Sequence, residues 1–81
     1  MKPLHKLSPG EKAFIVDMYN SKLCERLFEL GVFPGDVVVM EENCANTNLI
    51  VVSINNHTFN IYKKAAETII TNSVNFEVCM N

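Results

Sequence analysis

The 81 residues include no tryptophan, three glycines, three prolines and three cysteines. Each scarcity excludes something. The absence of tryptophan and the shortage of clustered aromatics weaken the reading of a generic peptide-binding module, because proline-rich ligands use aromatic-lined grooves. Cys24, Cys44 and Cys79 are an odd number at wide spacings with no Cys-x-x-Cys. The usual zinc and redox spacings are therefore missing, and reduced thiols in a cytoplasmic protein are expected. No apolar run approaches the ~20 residues of a membrane helix. Residues 1–7 hold two lysines, a proline and a histidine where a signal peptide has its apolar core. Direct membrane insertion is not expected. Basic charge is also short: seven Lys and Arg stand against nine Asp and Glu, for a net charge of −2. Lys63-Lys64 is the one adjacent basic pair, which is a poor footprint for nucleic acid.

What is present is enough for one small globular domain. Apolar residues make up 48% of the chain, which argues against disorder. Residues 24–40 are the most informative stretch. Leu23, Leu27 and Leu30 recur at helical spacing, and Cys24 and Phe28 widen the stripe. At about 100° per residue these side chains share one side, with Lys22, Glu25, Arg26 and Glu29 on the other. Gly31 follows where a left-handed helix cap needs a residue without Cβ. Pro34-Gly35 fits the centre of a type II turn. The β-branched run from Val37 then reads as a strand. The stretch predicts a short helix, capped by Asn20 or Ser21, tied by a tight corner to a strand.

The rest of the chain adds strands. Residues 1–6 read as a lead-in. Leu7-Ser8-Pro9-Gly10-Glu11 carries a turn, and the formal capping box of Ser8 and Glu11 is the weaker reading of it. Residues 12–19 read as a strand whose two faces are both largely apolar, which a bulge near Asp17 would explain. Residues 37–42 and 49–55 are strands on either side of a polar loop. Asn55-Asn56 is a hairpin turn, since asparagine tolerates positive φ, and residues 57–62 return as its second strand. A helical turn over residues 63–68 and a short strand at 69–71 complete the core. Residues 73–81 then alternate strictly, with Val74, Phe76, Val78 and Met80 apolar. The fold class is mainly β with one short α-helix, as a strongly bent sheet or small barrel.

The order of these signals resembles the FeoA family. The carriers are LSPGEKAFIVDM, RLFELGVFPGDVVVM and LIVVSINNHTFNIYKKAAETIIT. The resemblance implies a small SH3-like β-barrel over residues 7–71, preceded by the lead-in at 1–6 and followed by a C-terminal extension at 72–81. It implies a cytoplasmic accessory of bacterial ferrous iron uptake that binds the FeoB-type permease on its cytosolic side. The alternative is an iron-responsive regulatory or metal-binding module of the same fold.

Candidate sites follow from these readings. No nucleophile and base, and no paired carboxylates, stand in a pattern that marks an active site, so catalysis is not expected. His5, His57, Cys24, Cys44, Cys79 and the Glu41-Glu42 pair have side chains that suit iron or zinc, but none are at ligand spacing. No metal site or cofactor is assigned, and Fe2+ association is not supported by spacing. The partner surface is placed at Arg26, Leu30, Phe33 and Pro34, on the corner built by Gly31, Pro34 and Gly35. The strand read at Val74, Phe76, Val78 and Met80 has two destinations: the edge of its own sheet, or another copy of the chain in a homo-oligomer.

Overall fold

The computed structural model describes residues 1–74. A single six-stranded antiparallel sheet carries the molecule. Its strands are β1 (Lys2–Pro3), β2 (Lys12–Met18), β3 (Val37–Glu42), β4 (Leu49–Ile54), β5 (His57–Tyr62) and β6 (Ile69–Ser73), in the order β1-β6-β2-β3-β4-β5. Helix α1 (Ser21–Glu29) lies between β2 and β3, and the short α2 (Lys63–Ala66) between β5 and β6. Among the described residues β1 and β5 are the edges, so of the two forms expected, a strongly bent sheet or a small barrel, the SH3-like sheet takes the open, bent one. It curls nonetheless: α2, after β5, packs against the 3₁₀ turn Leu4–Lys6, after β1.

One face of the curl holds the core. Ala13 and Ile15 of β2, Val38 and Met40 of β3, Ile50, Val52 and Ile54 of β4, and Ile69 of β6 are buried there. Phe14, Val16 and Val37 point the other way and are exposed. The doubly apolar β2 is thus decided by alternation, and its register shifts between Ile15 and Asp17, the bulge that its pattern suggested. The Asn55-Asn56 turn has φ of 53° and 67°, the pair of left-handed residues that closes a two-residue hairpin.

Residues 1–6 are not a lead-in. Lys2 and Pro3 pair with Thr71 and Ile70, and Leu4 is fully buried. In a 3₁₀ turn residues three apart share a face, so Leu4 and Leu7 enter the core together. Two distant side chains fasten this segment. Asn43 donates from Nδ2 to the carbonyls of His5 and Leu7 at 2.9 and 2.7 Å. Buried Thr71 donates from Oγ1 to the Lys2 carbonyl at 2.8 Å. At the other end, β6 takes in Asn72 and Ser73, beyond the expected boundary.

Two matching turns set the β2–β3 pair. In Ser8-Pro9-Gly10-Glu11 the Glu11 N–H donates to the Ser8 carbonyl (2.9 Å), and the Ser8 N–H donates to the Glu11 carboxylate (2.9 Å). In Phe33-Pro34-Gly35-Asp36 the Asp36 N–H donates to the Phe33 carbonyl (3.1 Å), and the Phe33 N–H to the Asp36 carboxylate (2.8 Å). The Gly10 N–H then docks on the Met40 carbonyl and the Gly35 N–H on the Ile15 carbonyl, both at 2.7 Å. The two turns clamp opposite ends of one ladder by the same device.

The first turn carries a pH dependence. The Ser8 N–H holds the Glu11 pKa below its ordinary value; burial opposes this, and the Lys2 ammonium, 3.1 Å away, reinforces it. A carboxyl whose pKa is depressed by folding stabilises the fold above its unfolded pKa and loses that contribution as pH falls through the folded value. The stability gap between the wild type and Glu11→Gln should be full at neutral pH and narrow below about pH 4.5. Thermal unfolding of both proteins across that range checks it, and a gap independent of pH would remove the carboxylate from the account.

Candidate functional site

The corner between α1 and β3 is the best-defined surface feature. It starts from the helix cap. Asn20 accepts the Leu23 N–H on its side-chain oxygen at 3.1 Å and so starts α1. At the other end the Val32 N–H returns to the Leu27 carbonyl (2.8 Å) and the Gly31 N–H to the Phe28 carbonyl (3.0 Å). This is a Schellman arrangement, and it requires the left-handed φ of 84° at Gly31. Val32 and Leu27, brought together by it, are both buried. Gly35, at φ 102°, supplies the positive φ of the following type II turn.

Burying Val32 turns Phe33 outward, and it is 49% exposed. Its ring stacks on Phe28, with centroids 5.0 Å apart and planes 20° from parallel. Phe28 is itself 41% exposed, so the pair forms an aromatic ledge rather than a core contact. The ledge is braced from the hairpin. Asn55 donates from Nδ2 to the Gly31 carbonyl (3.3 Å) and to the Asp36 carboxylate (3.2 Å). The same carboxylate oxygen of Asp36 also holds the Phe33 N–H.

The four residues assigned to a partner surface do not form one cluster. Pro34 and Phe33 share the turn and are exposed. Arg26 and Leu30 are also exposed, but they are four apart on one flank of α1. At about 100° per residue, Phe28 occupies the opposite flank, with Leu27 between them facing the core. Leu30 therefore does not complete the buried stripe that its spacing predicts: it is the cap residue, 55% exposed. Leu23 and Cys24 are half-buried beside Leu27. Phe28, read from the sequence as part of that stripe, is the functional candidate that periodicity missed.

Other candidates are dispersed. Cys24 is half-buried on α1, exposed Cys44 lies in the loop after β3, exposed His57 opens β5, and His5 sits in the 3₁₀ turn. Among the described residues no three His, Cys, Asp or Glu side chains come together as a metal site. A cleft of 320 Å³, lined by Asn48, Tyr62, Lys63 and Lys64, lies at the far end of the β4–β5 hairpin from the corner. Among the described residues no helix is long and apolar enough to cross a membrane. Of the proposed oligomer strand, Val74 is described and its N–H reaches the Lys12 carbonyl at 3.2 Å; Phe76, Val78 and Met80 lie outside the described residues.

An open, curled antiparallel sheet with one helix set between its second and third strands is an SH3-like fold, and solved structures share it. A crystal structure of an iron uptake regulatory protein (FeoA) aligns with TM-score 0.76 at 23% identity, over 90% of this chain and 96% of that one. Iron(II) transport protein A from Clostridium thermocellum aligns at 0.77 and 27% identity, over 89% of this chain and 45% of that one. A manganese-dependent transcriptional repressor aligns at 0.80 and 15% identity, and the matched region is 90% of this chain but 41% of the repressor. At identities this low, the repressor and the crystallised FeoA protein show the fold alone. No curated protein matches the chain. The FeoA domain matches residues 2–72, nearly the whole chain, and the protein belongs to that family. Membership supports a role in ferrous iron transport, and the match begins at residue 2, in keeping with the place of β1 in the sheet.

Proposed function

We propose that this protein is a cytoplasmic, non-enzymatic accessory of ferrous iron uptake that binds the cytosolic side of an FeoB-type permease. The observation that supports a binding role is the Phe28–Phe33 ledge: two stacked, exposed aromatic rings on a corner fixed by a helix cap, a type II turn and the Asn55 brace. Rigid, half-exposed aromatics are the usual anchors of protein interfaces, because little side-chain freedom is lost when they are covered. Iron is cargo in this reading, and the chain need not hold it. A pull-down with the cytosolic portion of the permease, together with ferrous iron uptake in a deletion strain, tests the proposal. Capture of the permease and impaired uptake are expected. No capture together with normal uptake would remove the transport role. Anaerobic titration with ferrous ion separates the regulatory alternative, which requires tight stoichiometric binding lost on changing His57 or Cys44.

A further inference from the structure

We propose that the cleft lined by Asn48, Tyr62, Lys63 and Lys64 binds a phosphate monoester, a small organic molecule with a terminal phosphate group. The Lys63-Lys64 pair takes no part in the aromatic ledge at the other end of the hairpin. In the cleft it has a use of its own.

Backbone bonds set the walls of the cleft. The β4–β5 ladder ends on the Leu49–Tyr62 pair. One further bond follows, from the Lys63 N–H to the Asn48 carbonyl at 2.7 Å. Asn48 and Lys63 are thereby held together where the loop after β3 meets the start of α2. That loop is closed by its own bonds: the Cys44 carbonyl accepts the Thr47 N–H at 3.3 Å and the Thr47 hydroxyl at 3.2 Å. Asn43 ties the start of the loop to the carbonyls of His5 and Leu7. The same Cys44 carbonyl receives the Lys63 ammonium. Lys63 is therefore a half-buried cation with a fixed place, and Lys64 and Tyr62 are exposed on either side of it in the chain.

The polar groups that line the cleft are mostly donors. An ammonium has three N–H groups and no acceptor, and the Cys44 carbonyl takes one of those of Lys63. Lys64 adds a second ammonium, Tyr62 a hydroxyl and Asn48 an amide. Glu67 is one turn along from both lysines, yet among the described residues neither forms an ion pair. Two positive charges and a donor-rich lining select an oxyanion. A phosphate monoester suits them better than a carboxylate, because it carries about −1.5 to −2 charges near pH 7 and three strong acceptor oxygens. The volume of 320 Å³ is that of a small-molecule site and exceeds what a phosphate group alone fills. The Tyr62 ring and the aliphatic stems of the lysines provide apolar wall for the organic part. Two lysines are too few to track a nucleic-acid backbone, but they are enough for one phosphate group. A soluble phosphate ester and the headgroup of phosphatidic acid present the same chemistry.

NMR titration of the nitrogen-labelled full chain tests the inference. Adenosine monophosphate is the soluble probe, and adenosine is the same body without the phosphate. The monophosphate should shift the amides of Asn48, Tyr62, Lys63 and Lys64 to saturation, and adenosine should not. Lys64→Glu should weaken binding by roughly tenfold or more, the loss of one charge-assisted contact. Lys22→Glu makes the same change of net charge on the exposed side of α1 and should leave binding unchanged. Lys64→Gln, which removes the charge without reversing it, takes the place of Lys64→Glu if the spectrum shows that variant unfolded. Co-sedimentation with phosphatidylcholine vesicles that contain phosphatidic acid, lost without the phosphatidic acid and lost in the Lys64 variant, would place the ester on a lipid. Equal shifts with adenosine, binding that survives removal of the Lys64 charge, or no response to either the monophosphate or the vesicles would overturn the proposal.

Discussion

Leu27→Ala should lower stability by about 2–5 kcal/mol, the cost of emptying a buried leucine site. A domain of this size has on the order of 4–12 kcal/mol in total, so much or all of the fold is at stake. Leu27 is the one fully buried side chain of α1, and its carbonyl receives the Val32 N–H that closes the helix. Truncation therefore removes the anchor of the helix and loosens Val32, the residue whose burial turns Phe33 outward. Leu30→Ala, three residues on, should change stability by no more than about 0.5 kcal/mol, because Leu30 is exposed. Urea denaturation of the two variants checks the contrast. Equal losses would mean that the Leu23, Leu27 and Leu30 stripe buries as evenly as its spacing predicts, and that α1 sits differently on the sheet.

That contrast marks how far the sequence could be read. Features specified by local chemistry were legible: the Asn20 cap, the left-handed Gly31, the Pro34-Gly35 turn and the Asn55-Asn56 hairpin each follow from what one or two residues allow, and the Asp17 bulge from the apolar pattern of a single strand. The order of those features also carried the family. Features that depend on distant partners were not legible. Leu4 and Pro3 look like part of a loose lead-in until β6 provides a strand, and the ties from Asn43 and Thr71 cross 36 or more residues of chain. Helical periodicity identified an apolar side of α1 but not its limits. Nine residues give fewer than three turns, so one residue at each flank decides between core and surface. Leu30 was lost from the core because the cap ends the helix before it, and Phe28 because it stands about 100° around the helix from Leu27, where it meets Phe33 instead of the sheet. The candidate site thus arose where two elements meet, and no single periodicity describes such a place.

Phe33→Ala should weaken binding to the cytosolic portion of the permease by about 2 kcal/mol, roughly 30-fold in Kd, the loss typical of a central aromatic anchor. The fold should survive it, since Phe33 is half exposed and the turn is held by backbone bonds and the Asp36 carboxylate, none of which use the ring. Phe28→Ala should have a comparable effect by a different route. It removes contact area and also the ring that fixes Phe33 in place, so Phe33 gains freedom that binding must then remove. Because the two changes act on one ledge, the double variant should lose less than the sum of the single losses. Tyr19→Ala removes an aromatic that is 69% exposed at the end of β2, near the start of α1 rather than the corner, and should leave the affinity unchanged. Titration calorimetry of the four variants measures all of this, with circular dichroism confirming the fold. Additive losses at Phe28 and Phe33 would mean that the rings act separately. Unchanged affinity in both single variants would move the contact to another face, with the Arg26 and Leu30 flank of α1 the next to alter.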